Sequence, residues 1–458
     1  MTLKLDYSNM MISPGGISSD AWTGAQSRFA SAKSGFEKLV ASGEVGFTAL
    51  PSDAGLLDQM HRYVATARGK YDDVVILGIG GSALGPIALR TALRPSSWNM
   101  LDDKTRGGFP RLQVLDNVDP DTIAALLARL NLARTLFIVT SKSGGTAETM
   151  AQFVIVHEKL VAARLDLKNH LVFVTDPRQG ALRPLAQRLN VPALDIPPSI
   201  GGRFSVLTPV GTLPAALIGI DIKALLDGAG GMAKRCETDD LARNPAGVYA
   251  MLQWLADTRI KKSIAVFMPY SDPLRDFADW FVQLWAESLG KKRKDGTSVG
   301  STPLAALGAT DQHAQVQLFM EGPADKTVTF VAVRERGTDV RIPAGFNDVK
   351  ELGYLGGHSL GELIDIEQRA TAGALARRGR PNMTITLDRV DPASVGGLMM
   401  FLELATAYAG QLYDIDAFNQ PGVELGKQFA YALLGRPGVD DAKKEWDSLP
   451  KPDPRLVV

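Results

Sequence analysis

The stretch T-L-F-I-V-T-S-K-S-G-G-T-A-E-T, Thr135 to Thr149, leaves an apolar run through three hydroxyls, a lysine and two glycines, then turns at once into a helical pattern. A short, continuous apolar run bounded by turn residues reads as a strand buried on both faces, the kind found in parallel sheets. The segment after the run carries chemistry. Small side chains, O–H donors and free backbone N–H groups stand at a helix N-terminus, where an anion is favoured. A terminal phosphate has several acceptor oxygens and about two negative charges, which suits short donors converging from a helix end. The donors are the hydroxyls of Ser141, Ser143 and Thr146, the ammonium of Lys142 and the unobstructed backbone of Gly144 and Gly145. The competing reading is an ordinary capped turn, with Thr146 as N-cap and Glu148 in the first turn. A Walker A loop is excluded, because G-x-x-x-x-G-K-[ST] is absent here.

Working outward, D-D-V-V-I-L-G-I-G-G from Asp72 precedes a helical segment beginning near Ser82. L-Q-V-L-D is followed by D-P-D-T-I-A-A-L-L-A-R-L, whose aspartates suit a helix start. L-V-F-V-T-D comes after a helix expected from about Thr146 to Leu165. Apolar strands alternating with helices predict a parallel sheet covered on both faces. Residues 200 to 260 read mostly helical. A second βα series comes next, with strands S-I-A-V-F-M-P-Y, T-V-T-F-V-A-V-R and N-M-T-I-T-L and long amphipathic helices expected near 358 to 377 and 394 to 413. The expected architecture is two α/β sandwiches with mainly parallel sheets, and the halves show no internal repeat.

Bulk composition narrows the function. The 458 residues carry 50 Lys plus Arg against 50 Asp plus Glu, a net charge of zero, which speaks against nucleic acid as a partner. The basic run K-K-R-K-D-G, Lys291 to Gly296, reads as a solvated loop. Cys236 is the single cysteine, which fits a reducing compartment. The start lacks the apolar core of a signal peptide, and no apolar run unbroken by Pro, Gly or charge is long enough to span a membrane, so a cytoplasmic protein is expected.

Several further segments carry candidate chemistry. G-I-G-G-S-A-L-G-P, Gly78 to Pro86, opens as G-x-G-x-x-A and raises a dinucleotide site, although Asp116 lies far beyond the expected acidic position. The same glycines also serve a plain strand-to-helix turn. Both glycine-rich corners end parallel strands, where open α/β sheets place ligands, so Gly81, Ser82 and the S-K-S-G-G-T loop are expected to share one ligand. G-G-R-F-S-V-L-T-P-V-G puts Arg203 in a glycine-flanked turn, placed either to offset charge on a substrate oxygen or to cap carbonyls. Q-L-W-A-E-S-L-G-K places Gln283 and Glu287 one turn apart on a helix rich in aromatics. A carboxylate in apolar company tends toward a raised pKa, useful in a general base, whereas on a polar stripe it is simply solvated. His313 stands in the first turn of an expected helix after Asp311, and Glu424 and Lys427 lie three residues apart after N-Q-P-G-V. That last spacing fits a surface ion pair or a lysine directed into a polar site beside Gln420. No H-x-x-x-H or H-E-x-x-H pattern and no Cys/His cluster is present.

In order and wording these segments resemble the glucose-6-phosphate isomerase (phosphoglucose isomerase) family, particularly its shorter bacterial type. The matching pieces are G-I-G-G-S-A-L-G-P, S-K-S-G-G-T-A-E-T, G-G-R-F-S-V-L-T-P-V-G, Q-L-W-A-E-S-L-G-K, D-Q-H-A-Q-V-Q-L and Q-P-G-V-E-L-G-K, running from about residue 70 to 435. The resemblance implies two sugar-isomerase (SIS) type α/β/α domains, no redox cofactor, no catalytic metal and reversible conversion of glucose 6-phosphate to fructose 6-phosphate. By motif, Ser82, Ser141, Lys142, Ser143 and Thr146 would hold the phosphate, with Gly81 nearby. Glu287 matches the family's base and Arg203 the arginine that offsets enediolate charge. His313 matches the histidine that assists ring opening, Lys427 the lysine at the sugar's ring or C1 oxygen, and Gln283 and Gln420 polar residues around the substrate. The histidine comes from the neighbouring subunit in this family, so a homodimer is implied. The expected layout is a helical extension over 1–69, a first SIS-like domain over 70–205 carrying the phosphate loops and a helical connection over 206–260. A second SIS-like domain over 261–415 and a helical segment over 416–458 carrying the lysine motif complete it. A dehydrogenase and a non-catalytic sugar-phosphate sensor of the same fold remain the alternatives.

Overall fold

In the computed structural model, which describes residues 3–458, the apolar runs fold as strands and the segments between them as helices. The strands are β1 (Lys4–Asp6), β2 (Asp73–Leu77), β3 (Arg111–Leu115), β4 (Thr135–Thr140), β5 (Leu171–Thr175), β6 (Ala193–Asp195) and β7 (Ile264–Pro269). A short hairpin, β8 (Lys291–Lys292) and β9 (Ser298–Val299), precedes β10 (Thr302–Ala305), β11 (Lys326–Val333) and β12 (Asn382–Leu387). The first sheet, ordered β3-β2-β4-β5-β6, is parallel throughout. The second, β1-β12-β11-β7-β10, is parallel except for β1. Two α/β sheets with mainly parallel strands were the expectation, and this is the fold observed.

Burial explains the patterning. Every residue of β2, β4 and β5 is buried, because helices cover both faces of a parallel sheet. Phe137, Val139 and Phe173 pack against Phe153, Val156 and Leu160 of the helix Ala147–Ala162, whose N-terminus receives the loop after β4. In the second sheet Val266, Met268, Val328 and Phe330 pack with Ala372 and Leu375 of the helix Leu360–Arg377. The chain divides into two compact units, one ending at Ala417 and one of Phe418–Val458.

Two elements depart from the sequence-based reading. The N-terminal stretch holds a strand as well as helices: Lys4 to Asp6 pair antiparallel with Thr386 to Thr384 of β12, a run too short for periodicity to reveal. The helix over Pro392–Tyr413 is not amphipathic, and although Gly396, Gly397, Glu403 and Gly410 interrupt its apolar run, by length and composition it is the one helix among the described residues that passes for a membrane span. It lies in the core, with 94% of its most apolar window buried. Helices Ala25–Ala41, Ile222–Arg235, Pro245–Ile260 and Arg275–Leu289 surround it, which leaves no solvent face to be polar. Its approach to Ile222–Arg235 requires glycine: a Cβ on Gly396 would lie 1.9 Å from the Leu225 carbonyl oxygen, and one on Gly228 would lie 1.9 Å from that of Ala393.

Glu403 sits in this central helix, fully buried, and among the described residues neither carboxylate oxygen has a hydrogen-bond partner. Desolvation pushes its proton affinity well above the usual glutamate value, so the buried group is held as the neutral acid. The folded state therefore binds this proton more tightly than the unfolded chain. The resulting stability is present in full below the unfolded pKa of about 4.3 and declines as pH rises above it. Glu403→Met is expected to stabilise the protein by about 1–3 kcal/mol at pH 5, and by more at pH 8. Chemical denaturation at the two pH values checks this, and a gain independent of pH would contradict a buried neutral acid.

Candidate active site

The loop after β4 builds a cluster of hydroxyls. Ser141 Oγ lies 2.9 Å from Thr146 Oγ1 and 3.4 Å from Ser143 Oγ, and Ser143 Oγ lies 3.4 Å from Thr146 Oγ1. Thr146 occupies the N-cap position of Ala147–Ala162, yet its side chain caps no helix N–H. The ordinary capped turn is thus not what forms. The hydroxyl faces the other two, and the first-turn N–H groups receive no side-chain cap, the arrangement that favours an anion. Gly144 adopts φ 62°, and a Cβ there would lie 2.8 Å from the Ala181 backbone nitrogen, so the loop is closed from behind by residues 180–182. Lys142 is held elsewhere than on the hydroxyls: its ammonium donates to the Pro198 carbonyl at 2.8 Å, and desolvation lowers its proton affinity.

β2 and β4 are hydrogen-bonded neighbours in parallel register, Leu77 opposite Val139. The turn Gly80–Ser82 and the loop from Ser141 therefore follow adjacent strands at the same end of the sheet. This corner also meets the arginine turn Gly202–Phe204 and the helix Arg275–Leu289. A Cβ on Gly81 would lie 2.4 Å from the Gly202 carbonyl carbon and oxygen and 2.8 Å from the Arg203 nitrogen. One on Gly80 would lie 2.9 Å from Gln283 Nε2. Close backbone approach at Gly81 and a φ of 56° at Gly80 thus require glycine, which accounts for the fingerprint without a dinucleotide.

Arg203 is 3% exposed. Its Nε donates to Ser288 Oγ at 2.7 Å, one terminal nitrogen to Glu287 Oε2 at 3.3 Å and the other to the Ala417 carbonyl. Desolvation lowers its proton affinity and the adjacent Glu287 carboxylate pulls it back up. Glu287 was expected among aromatics. Trp280, Phe281 and Trp285 instead occupy the buried face of its helix, while the carboxylate, one-third exposed, meets Arg203 and accepts from Gln283 Nε2 at 3.1 Å. Gln283 Oε1 is buried with no partner among the described residues, an acceptor left open beside the carboxylate.

The structure thus brings together Gly81, Ser82, Arg203, Gln283 and Glu287, with Ser141, Ser143 and Thr146 on the adjacent strand end. His313 lies in the short helix Thr310–His313 after β10, exposed, and among the described residues nothing in the chain bonds to its ring. In the C-terminal unit Lys427 Nζ pairs with Glu424 Oε1 at 2.9 Å on the helix Glu424–Leu433, and Gln420 is exposed just before it. Two residues at the site escaped the sequence reading. Ser288 orients the arginine, and Lys291 donates to the Glu287 and Ser288 carbonyls at 2.6 and 3.0 Å. The signal for Lys291 was its position one residue past Gly290, where a cation meets the unpaired carbonyls of a helix end.

The profile of the phosphoglucose isomerase family matches residues 59–350 and 361–451. A glucose-6-phosphate isomerase of Carboxydothermus hydrogenoformans is 44% identical over 468 residues, covering 100% of each chain. A hypothetical protein of Thermus thermophilus, known as a crystal structure, superimposes with a TM-score of 0.83 at 38% identity, over 94% of this chain and 100% of that one. The crystal structure of a glucose-6-phosphate isomerase from Chlamydia trachomatis shares the fold, with a TM-score of 0.80 at 22% identity over 98% of this chain and 92% of that one.

The contact between the glycine corner and the arginine turn is open to test. Gly81→Ala is expected to displace the Arg203 backbone and to lower kcat/KM by about a hundredfold, the scale of a 1 Å misplacement at a reacting centre. Steady-state kinetics beside a thermal unfolding curve will measure it. Unchanged kinetics in a folded variant would show that the contact does not position the arginine.

Proposed function

The chain belongs to the phosphoglucose isomerase family and is an aldose–ketose isomerase, and from that premise we propose that it interconverts glucose 6-phosphate and fructose 6-phosphate through an enediolate. The step is shared by glycolysis and gluconeogenesis, and the proposed setting is the cytoplasm. The observation that carries the mechanism is the pairing of Arg203 with Glu287 beside the open Gln283 acceptor.

The phosphate binds at Ser141, Ser143 and Thr146, with Ser82 and the backbone at Gly81 beside it, and Lys142 adds charge at the loop. This end of the sugar takes no part in bond changes; holding it supplies binding energy for orientation at the other end. The ring opens first, because the C2 proton becomes acidic only beside a free C1 carbonyl. His313 and Lys427 are the acid–base groups assigned to this step, with Gln420 nearby. Glu287 then removes the C2 proton. The C–H electron pair becomes the C1–C2 double bond, and the carbonyl π pair moves onto O1. Glu287 returns its proton at C1, while the O2 proton passes to O1 and C2 becomes the carbonyl carbon.

Charge explains why arginine and glutamate sit together. While Glu287 is ionised, it balances the buried guanidinium. Once it has taken the proton, that balance is lost just as the enediolate oxygens gain charge, so the guanidinium meets the intermediate rather than the base. The 3.3 Å separation leaves the pair loose enough for this exchange.

Glu287→Gln is expected to abolish fructose 6-phosphate conversion while phosphosugar binding, measured by calorimetry, stays within a few-fold of wild type. Full activity in this variant would remove Glu287 as the base, and sugar-phosphate binding without turnover in the wild type would favour a sensor. The assignment of His313 to the neighbouring subunit of a homodimer has its own test. Mixing inactive Glu287→Gln and His313→Ala chains creates dimers with one intact site, so activity is expected to recover to about a quarter of wild type after subunit exchange. No recovery after demonstrated exchange would place histidine and base on one chain.

A further inference from the structure

The basic run from Lys291 reads in the sequence as a solvated loop, and Lys292, Lys294, Asp295 and Gly296 are exposed accordingly. Lys291 behaves differently. It opens the hairpin, paired with Val299, one residue past Gly290 at the end of the helix that bears Glu287. Its ammonium turns back onto that helix and is held at 2.6 Å by the carbonyl of Glu287 and at 3.0 Å by that of Ser288. Carbonyls at a helix end lack intrahelical partners and carry partial negative charge, so a cation there is favourable. Three other charged groups face it: the Arg203 guanidinium from the turn Gly202–Phe204, the Glu287 carboxylate from its own helix and the Asp416 carboxylate from the segment after the central helix.

We propose that Lys291 is a positioning residue for the isomerisation, its ammonium locking the backbone of Glu287 and of Ser288, whose hydroxyl in turn orients Arg203. The inference rests on the assignment of Glu287 as the base. Two links carry it. The Glu287 carbonyl fixes where the base's side chain begins, and the Ser288 hydroxyl at 2.7 Å from Arg203 Nε fixes the plane of the guanidinium. One cation thereby holds both halves of the proton-transfer pair without touching the substrate. The tether is sensitive to pH. Desolvation first, and then repulsion from Arg203, bring the Lys291 ammonium down to about 8, with Asp416 and Glu287 opposing. The charge is present below that pH and is lost above it, so the reaction slows on the alkaline side as the helix end loses its cation.

The test is the pH dependence of kcat and KM for fructose 6-phosphate conversion between about pH 6 and 10, measured on the full-length wild type, Lys291→Met and Lys291→Arg. The wild type is expected to lose kcat on an alkaline limb near pH 8. Lys291→Met is expected to lose about three- to thirtyfold in kcat, with KM within about twofold, and to lack that limb. Lys291→Arg should keep most of the activity and move the limb upward by about one pH unit or more, because a guanidinium stays charged. A merely structural lysine would change thermal stability and leave the limb in place. The proposal is overturned if the wild type shows no such limb, or if Lys291→Met retains wild-type kcat. It is equally overturned if the limb of Lys291→Arg stays where the wild type has it, and that variant decides alone should the methionine chain fail to fold. Glu287→Gln assayed alongside separates the two ideas: activity there removes the base assignment, whatever the lysine variants do.

Discussion

A guanidinium taken out of water must be given partners for its donors, and the burial of Arg203 organises the site around that requirement. Its partners come from separate places in the chain: the Glu287 carboxylate and the Ser288 hydroxyl on one helix, and the Ala417 carbonyl beyond the central helix. Satisfying them draws the glycine turn at Gly202 against the glycine corner at Gly81, with less than a methyl group's room between. That corner is the end of β2, and its neighbour β4 ends in the hydroxyl cluster. Buried charge, backbone contact and strand pairing thus form one continuous path from the proposed base to the proposed phosphate site.

The two ends of that path do different physical work. At the proposed phosphate end the donors are short side chains on a backbone-defined loop, so binding there would need little movement. At the other end two opposite charges sit close and poorly matched, an arrangement suited to exchanging partners during proton transfer. Lys291 adds a further cation behind the helix end, held by the Glu287 and Ser288 carbonyls, where the proposed role is to position the proposed base. The same economy of charge is absent from the core, where Glu403 stays unpaired and neutral at a cost in stability.

Much of this was legible in the sequence because it depends on local chemistry. The strands β2, β4 and β5 are uninterrupted apolar runs, and the hydroxyl loop stands between a run and a helix, so their places in the fold follow from pattern alone. Gln283 and Glu287 lie four residues apart and had to share a face. What escaped depends on contacts distant in the chain. Lys142 reaches the Pro198 carbonyl 56 residues away, and the surroundings of Glu287 are set by an arginine 84 residues earlier. The helix Pro392–Tyr413 was expected to be amphipathic, whereas the helices packed around it leave no face exposed, which sequence spacing alone does not show. Lys291 was hidden by its neighbours: a run of basic residues reads as solvent-facing, and only the end of the preceding helix turns its first member inward.

The central claim is that a proton, and not a hydride, passes between C2 and C1 on a carboxylate that opens to solvent. Fructose 6-phosphate converted in deuterium oxide, with the glucose 6-phosphate product examined by proton NMR, tests it most directly. The predicted result is deuterium at C2 of the product, reduced by whatever fraction of protons Glu287 carries across without exchange. Product with no solvent deuterium at any pH or extent of reaction would mean direct hydride transfer, and the roles given to Glu287 and Arg203 would be wrong.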